Sequence, residues 1–349
     1  MSVFIYIEGA SSMKTTLIAA ACVCMIGSVQ AQTNVTAYGV VDQYFDYSKA
    51  GANSASRIQS GGLDGSRLGF RGEEALGGGL KAVFQIEAGF DADTGTSGQG
   101  GVLFGRQSYV GLGGNFGQVS MGRQYSMYYD TLVNYGLGGG LAWGNASEYF
   151  EPGSMLRINN SVKYESPNFA GFTFKGLYGM GENSAPGMRS TGNVASVGGQ
   201  YENGPVSLGL SYSTRQTLPS DLERWTAFGA SYNFGPIKPA FLMTDVRDDI
   251  GANRNNIYEI SAEIPLNSSS LLLDVGRLRN RALANANATA YSLRYDYYMS
   301  KRTTLYTGVA YLKADRNAQY GINGSTGAGL LGAPGDNSRA VIAGIRHRF

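Results

Sequence analysis

SRLGFRGEEALGGGLKAVFQIEAGF, residues 66–90, reads as two antiparallel strands joined by a short turn. In the first strand Leu68 and Phe70 alternate with Arg67, Gly69 and Arg71. In the second, Ala82, Phe84, Ile86, Ala88 and Phe90 alternate with Lys81, Gln85 and Glu87. Strand side chains project alternately to opposite faces. One face of this hairpin is therefore apolar, and the other carries guanidinium, ammonium, amide and carboxylate groups. A soluble sandwich turns its apolar face inward onto a second sheet. A membrane barrel turns it outward to lipid and closes the charged face around water.

The composition of the 349 residues favours the barrel. Charged residues are 15% of the chain, against about 25% in ordinary soluble domains. There are 51 Gly and 23 Tyr against 15 Phe and 2 Trp, which suits close-packed strands with an aromatic girdle and not a helical enzyme. Met13-Lys14-Thr15-Thr16, the apolar run Leu17–Val29 and the small residue at Ala31 form a secretory signal, with cleavage expected before Gln32. The run is too short for a transmembrane helix. Residues 1–12 do not fit a signal and precede the expected start at Met13, so residues 1–31 are set apart from the mature domain, 32–349. Both cysteines, Cys22 and Cys24, fall in the signal, leaving no disulfide or thiolate metal site in the mature chain.

Alternating runs then recur to the end. Strands are expected near 35–47, 65–73, 80–90, 104–113, 117–124, 158–166, 171–180 and 195–202. Eight more follow near 206–213, 225–233, 237–246, 256–264, 270–279, 290–298, 303–313 and 340–349. Tight turns such as Gly77-Gly78-Gly79, Asn203-Gly204-Pro205 and Phe234-Gly235-Pro236 alternate with longer polar connections at 48–64, 91–103, 125–157, 181–194, 214–224, 247–255, 280–289 and 314–339. Sixteen antiparallel strands need seven turns on one side and eight loops on the other. The expected fold is thus all-β, a 16-stranded antiparallel transmembrane β-barrel with short periplasmic turns and long external loops. The last strand, AVIAGIRHRF, must pair with 35–47, since lipid leaves no water to satisfy an open edge.

TAYGVVDQYFDY, the opening hairpin, FGRQSYVGLGGNFGQVSMGRQY, NNSVKYESPNFAGF and the terminal Phe349 together resemble Gram-negative general porins of the beta-proteobacterial type. The resemblance spans the mature chain and is most specific over residues 35–124. It implies an integral protein of the cell outer membrane, a homotrimer of water-filled channels whose third external loop, about 125–157, folds inward. It implies contact with outer-membrane lipid and lipopolysaccharide, and recognition of Phe349 by the barrel-assembly machinery.

Alternation directs Arg67, Arg71 and Lys81 into the lumen, and the resemblance adds Arg106 and Arg157 as pore arginines. Against this basic wall stand the acids of the long loop, Asp130, Glu148 and Glu151, with Gly136, Gly138, Gly139 and Gly140 available for a sharp bend. Any of these charges could instead merely solvate the wall or tie down the loop. Arg123 fails the parity test by sharing a face with Val119 and Met121, which suggests a distorted strand end or a subunit contact. The chain has 20 Arg to 8 Lys, and guanidinium keeps its charge when crowded. The expected function is a passive diffusion channel for ions and small hydrophilic solutes with a modest anion preference. A substrate-specific channel and a plugged structural or adhesive barrel stay open as alternatives. The only histidine, His347, faces outward on the closing strand, so no nucleophile–His arrangement can form and no enzyme is expected. Cofactors, a metal and nucleic acid are not expected either, although Asp248 and Asp249 could meet Ca2+ non-specifically.

Overall fold

The computed structural model describes residues 34–136, 142–150, 155–326 and 329–349. The signal expected at 13–31, both cysteines, Gly138–Gly140 and Glu151 lie outside the described residues.

The wall begins with β1 (Asn34–Ala50), β2 (Asn53–Ser60), β3 (Arg67–Gly77) and β4 (Leu80–Asp91), followed by a two-residue ribbon, β5 (Thr96–Ser97). It continues through β6 (Gln107–Gly114), β7 (Gly117–Tyr125), β8 (Arg157–Glu165), β9 (Phe172–Gly179) and β10 (Val194–Asn203). Then come β11 (Val206–Leu218), β12 (Asp221–Tyr232), β13 (Lys238–Arg247) and β14 (Arg254–Leu266). The last four are β15 (Ser269–Asn280), β16 (Ala288–Tyr298), β17 (Thr303–Ala314) and β18 (Ser338–Arg348). Neighbours pair antiparallel, and β1 closes on β18 from Val40↔Arg348 to Ala50↔Ser338. The other edge of β1 pairs with β2 over its C-terminal half and with β3 over its N-terminal half. β2 and β3 are therefore one wall position interrupted at residues 61–66. With β5 only a ribbon on β4, the barrel has sixteen strand positions.

Side-chain exposure is the inverse of a soluble sandwich. On β17 and β18 the exposed residues are Leu305, Val309, Tyr311, Val341 and Ile345, while Tyr306, Ala310, Leu312, Ala340 and Ile342 are buried toward the barrel interior. Leu210 is 57% exposed and Ile260 64% exposed. A continuous band of such residues is stable only against lipid. No described helix is long and apolar enough to cross a membrane, and the crossing is made by strands.

Two expected loops are mostly strand. Over 48–64 the chain turns at Gly51, where φ is 57° and a side chain would be strained, and returns as β2. Over 214–224, β11 and β12 run on until only residues 219–220 connect them. In both places pairing continues beyond the apolar band, so the alternation stops while the hydrogen bonding does not.

The described parts of the long connection from β7 to β8 lie inside the barrel. Its first helix, α1 (Met127–Tyr135), is capped by Ser126, whose hydroxyl accepts from Tyr129 N and donates to Met155 O at 2.5 Å. Met127 N donates to Ser196 Oγ at 3.0 Å, and the Tyr135 ring fills the space over Gly209 and Gly229, where any Cβ would overlap it. The second helix, α2 (Ala146–Phe150), lies on β14–β16. Ala146 N donates to Asp274 Oδ1 at 3.1 Å and Ser147 N to Glu259 Oε2 at 2.8 Å. Arg294 Nη1 donates to Trp143 O at 2.5 Å, and Trp143 packs on Gly308. Among the described residues the two apolar clusters lie at these seams between loop and inner wall.

Gly229→Val should push Tyr135 off the wall without touching the strand ladder. Single-channel conductance is expected to rise by tens of per cent, with noisier open levels, while the heat-modifiable gel mobility of a folded barrel is retained. Unchanged conductance in the folded variant would show that the Tyr135 seat does not hold the loop.

Candidate functional site

The loop covers the inner wall of β9–β17 and leaves open the side built by β18, β1, β3, β4, β6 and β8, where arginines gather. Arg106 directly precedes β6 and is only 4% exposed. Its Nε lies 2.7 Å from Glu87 Oε1, and its Nη2 donates to the Tyr125 hydroxyl at 3.2 Å. Arg67, the first residue of β3, points from the same wall, 3.0 Å from Asp64 and 4.0 Å from Glu87. Arg157 opens β8. Its guanidinium sits 5.0 Å above the Tyr125 ring and donates to the Tyr125 hydroxyl at 3.3 Å. Tyr125 in turn stacks on Tyr129 of α1 with centroids 4.3 Å apart. Arg157 makes no ion pair among the described residues.

From the loop side Tyr129 and Glu148 face these guanidiniums. Arg106, Arg157, Tyr129 and Glu148 line one water-accessible space of about 310 Å³, closed on the far side by Thr326 of the last loop. Burial pushes the Glu148 carboxyl well above the usual carboxylate range, and Arg157 pulls it only partly back. Burial likewise raises the Tyr129 phenol, helped by Tyr125 beside it, so Tyr129 stays protonated. The site is an opening between a wall rich in permanent positive charge and, among the described residues that line it, the carboxyls of Glu148 on the loop and Asp91 on β4. It can attract anions and orient dipoles.

Other residues named from the sequence lie elsewhere. Arg71 stacks over Tyr38 at 5.2 Å, and Lys81 pairs with Glu73 at 2.7 Å beside the Gly77–Gly79 turn, at the short-turn mouth. Asp130 points to Lys175 of β9, at 3.2 Å, and to Lys163 of β8, at 3.9 Å, and does not meet the arginines. Phe349 exchanges two backbone hydrogen bonds of 3.1 Å with Gly39, its ring lying over that glycine. Arg123 sits at a bulge where Gly122 has φ of 139°, donating to Gly105 O at 2.8 Å and to Asn159. Its expected distortion is present. Asp249 is paired with Arg224, and Asp248 accepts from Asn253 N at 2.7 Å.

Residues the sequence reading passed over complete the wall. Glu87 accepts from Tyr38 at 2.8 Å as well as from Arg106. Arg346 and Arg348 reach the lumen from the closing strand, both within 2.9 Å of Asp64. The parity of AVIAGIRHRF already placed both on the inward face.

Comparison with known proteins agrees with this geometry. The model of the Gram-negative porin family matches residues 15–317. Outer membrane porin protein 32 of Delftia acidovorans is 35% identical over 357 residues, covering 97% of this chain and 100% of that protein. An outer membrane porin protein of Bordetella pertussis is 30% identical over 402 residues, with 97% and 100% covered. Among solved structures, the anion-selective porin from Comamonas acidovorans superposes with a TM-score of 0.78 at 31% identity, covering 91% of this chain and 100% of that one. The trimer form of OmpT of Vibrio cholerae superposes with a TM-score of 0.69 over 91% of this chain and 99% of its own, but at 16% identity it speaks to the fold alone.

Glu148 carries a pH-dependent expectation. Below its raised pKa it is neutral and the arginines act unopposed. Above it, a negative charge appears opposite Arg157. Anion preference should therefore fall as pH rises from the ordinary carboxylate range up through the raised pKa of Glu148. Reversal potentials across that range should show the step in wild type and a flat line in Glu148→Gln. A step of the same size in Glu148→Gln would assign it to another group.

Proposed function

Because this chain belongs to the Gram-negative porin family, we propose that its outer-membrane channel favours anions through the arginine wall facing Tyr129 and Glu148. The protein is an outer-membrane diffusion channel for ions and small hydrophilic solutes. The observation that carries the anion reading is the imbalance of charge on the open side. Arg67, Arg106, Arg157, Arg346 and Arg348 stand there against Asp64, Glu87, Asp91 and Glu148. These groups sit in a narrow, partly desolvated passage where screening is weak, so the excess positive charge raises anion entry and opposes cations. The name of the Comamonas acidovorans structure points the same way.

In this reading transport is passive and involves no catalytic turnover. Three copies assemble as a homotrimer among outer-membrane lipid and lipopolysaccharide. Phe349, held at the seam beside Gly39, presents the C-terminal aromatic to the barrel-assembly machinery.

Purified protein in a planar bilayer under a KCl gradient of about tenfold should show ohmic steps and an anion-selective reversal potential. Arg67→Gln/Arg157→Gln should lower the anion-to-cation permeability ratio several-fold and leave heat-modifiable mobility intact. Arg157 makes no ion pair among the described residues, so its loss breaks no salt bridge, while Glu148 opposite loses the cation that holds its raised pKa partly down. Selectivity indifferent to the double change would remove the wall from the explanation. Absence of conductance in folded, inserted wild type would favour a plugged barrel.

A further inference from the structure

The break between β2 and β3, Gly61-Gly62-Leu63-Asp64-Gly65, is folded into the lumen by a purpose-built socket. Asp42, buried on β1, accepts from Leu63 N at 2.8 Å and from Asp64 N at 2.7 Å through one oxygen. Its other oxygen accepts from the Tyr306 hydroxyl at 2.5 Å, and its carbonyl accepts from Gly61 N at 2.8 Å. The long loop then bolts onto the segment, Trp143 N donating to Gly62 O at 2.7 Å. Gly65 lies against Arg106 and Thr326, so close that a Cβ would come within 2.8 Å of Arg106 Nη1. The segment is thus wedged between the opening described above and the short-turn end of the lumen.

What this socket presents is the Asp64 carboxylate. Arg67 Nη2 lies 3.0 Å from it, Arg346 Nη1 2.9 Å and Arg348 Nη2 2.8 Å. Three guanidiniums from two non-adjacent strands converge on one acceptor that belongs to neither strand. Such a cluster is the coordination expected of a bound anion, and here the anion is covalently tethered. Two consequences follow. The tethered carboxylate cancels one of three positive charges in the passage below the opening. It also fills the position in which a passing anion would otherwise lodge.

We propose that Asp64 is a selectivity-determining residue of this channel, a resident counter-ion that occupies a three-arginine anion site and keeps permeant anions from being trapped there. The proposal rests on the anion-channel reading above and deepens it. Anions are drawn in by the excess guanidinium charge but meet a nest already satisfied, so they pass on. Without the Asp64 charge the nest is open to chloride, and more strongly to a multivalent anion such as inorganic phosphate, which can take several guanidinium hydrogen bonds at once.

The test compares wild type with Asp64→Asn, which keeps the backbone N–H that Asp42 holds. At about 0.1 M KCl the anion-to-cation permeability ratio should rise several-fold in Asp64→Asn, and the gain should shrink at about 1 M as screening lengths fall from about 10 Å to about 3 Å. Conductance should saturate at lower KCl than in wild type, and inorganic phosphate should block chloride current at concentrations that leave wild type open. Adding Arg346→Gln and Arg348→Gln should abolish both the saturation and the block. If Asp64→Asn does not assemble, Arg346→Gln/Arg348→Gln in the wild-type background reads the same cluster, and the permeability ratio should fall. An unchanged or lowered ratio in folded Asp64→Asn, or a change equal at both salt concentrations, overturns the proposal. So does an unchanged ratio in Arg346→Gln/Arg348→Gln. A wild type that does not conduct, or that prefers cations, instead overturns the reading beneath it.

Discussion

A strand in hydrocarbon cannot leave its backbone N–H and C=O groups unpaired, because no water is there to receive them. The pairing of β1 with β18 over eleven residues answers that constraint, and much of the molecule follows from it. Closure fixes an inside and an outside. Leu, Val, Ile and Tyr then line the outer face, and the inner face is freed for groups that lipid would reject. The lumen so created is too wide to discriminate among small solutes. The chain narrows it with its own backbone, once through the β7–β8 loop and once through the break between β2 and β3.

The narrowing is asymmetric in charge. Under the loop, charges are held at short range: Asp130 by Lys163 and Lys175, Arg294 by Asp296 at 2.9 Å, and Asp274 and Glu259 by backbone N–H groups of α2. These pairs serve packing, since each charge is spent on its partner. On the open side the arginines outnumber the acids. Glu87 and Asp64 hold several guanidiniums in place without cancelling all of them. Arginine suits this task, because its charge persists under partial desolvation and its planar fork can share one carboxylate with a neighbour.

Much of this was legible in the residues because strand parity is a strict rule. Alternation in SRLGFRGEEALGGGLKAVFQIEAGF puts Arg67 inward, and alternation in AVIAGIRHRF does the same for Arg346 and Arg348. The rule fails where its premises fail. In NSASRIQS Ile58 is the one large apolar residue on the outward face, so the alternation lapses and β2 reads as loop. Beside Gly122 the pairing with β8 shifts by one residue, and Arg123 turns to Gly105 O and Asn159. Asp130 and Asp64 lie on segments with no period, and their bearings depend on sockets built by distant residues: Ser196 and Gly209 for the helix, Asp42 and Tyr306 for the break. A linear reading has no access to such contacts until the barrel has brought β1 beside β18.

The hydrogen bond from Trp143 to Gly62 also ties the seat of the loop to the closure of the wall. It joins the loop to the second wall position, while the same loop rests on β10–β12 and on β14–β17. These contacts span nearly the whole chain, and their loop-closure entropy can be recovered only after the cylinder exists. The seat of the loop is therefore a property of the closed cylinder: a change that loosened the β1–β18 seam would loosen the constriction as well, although the two lie on different elements.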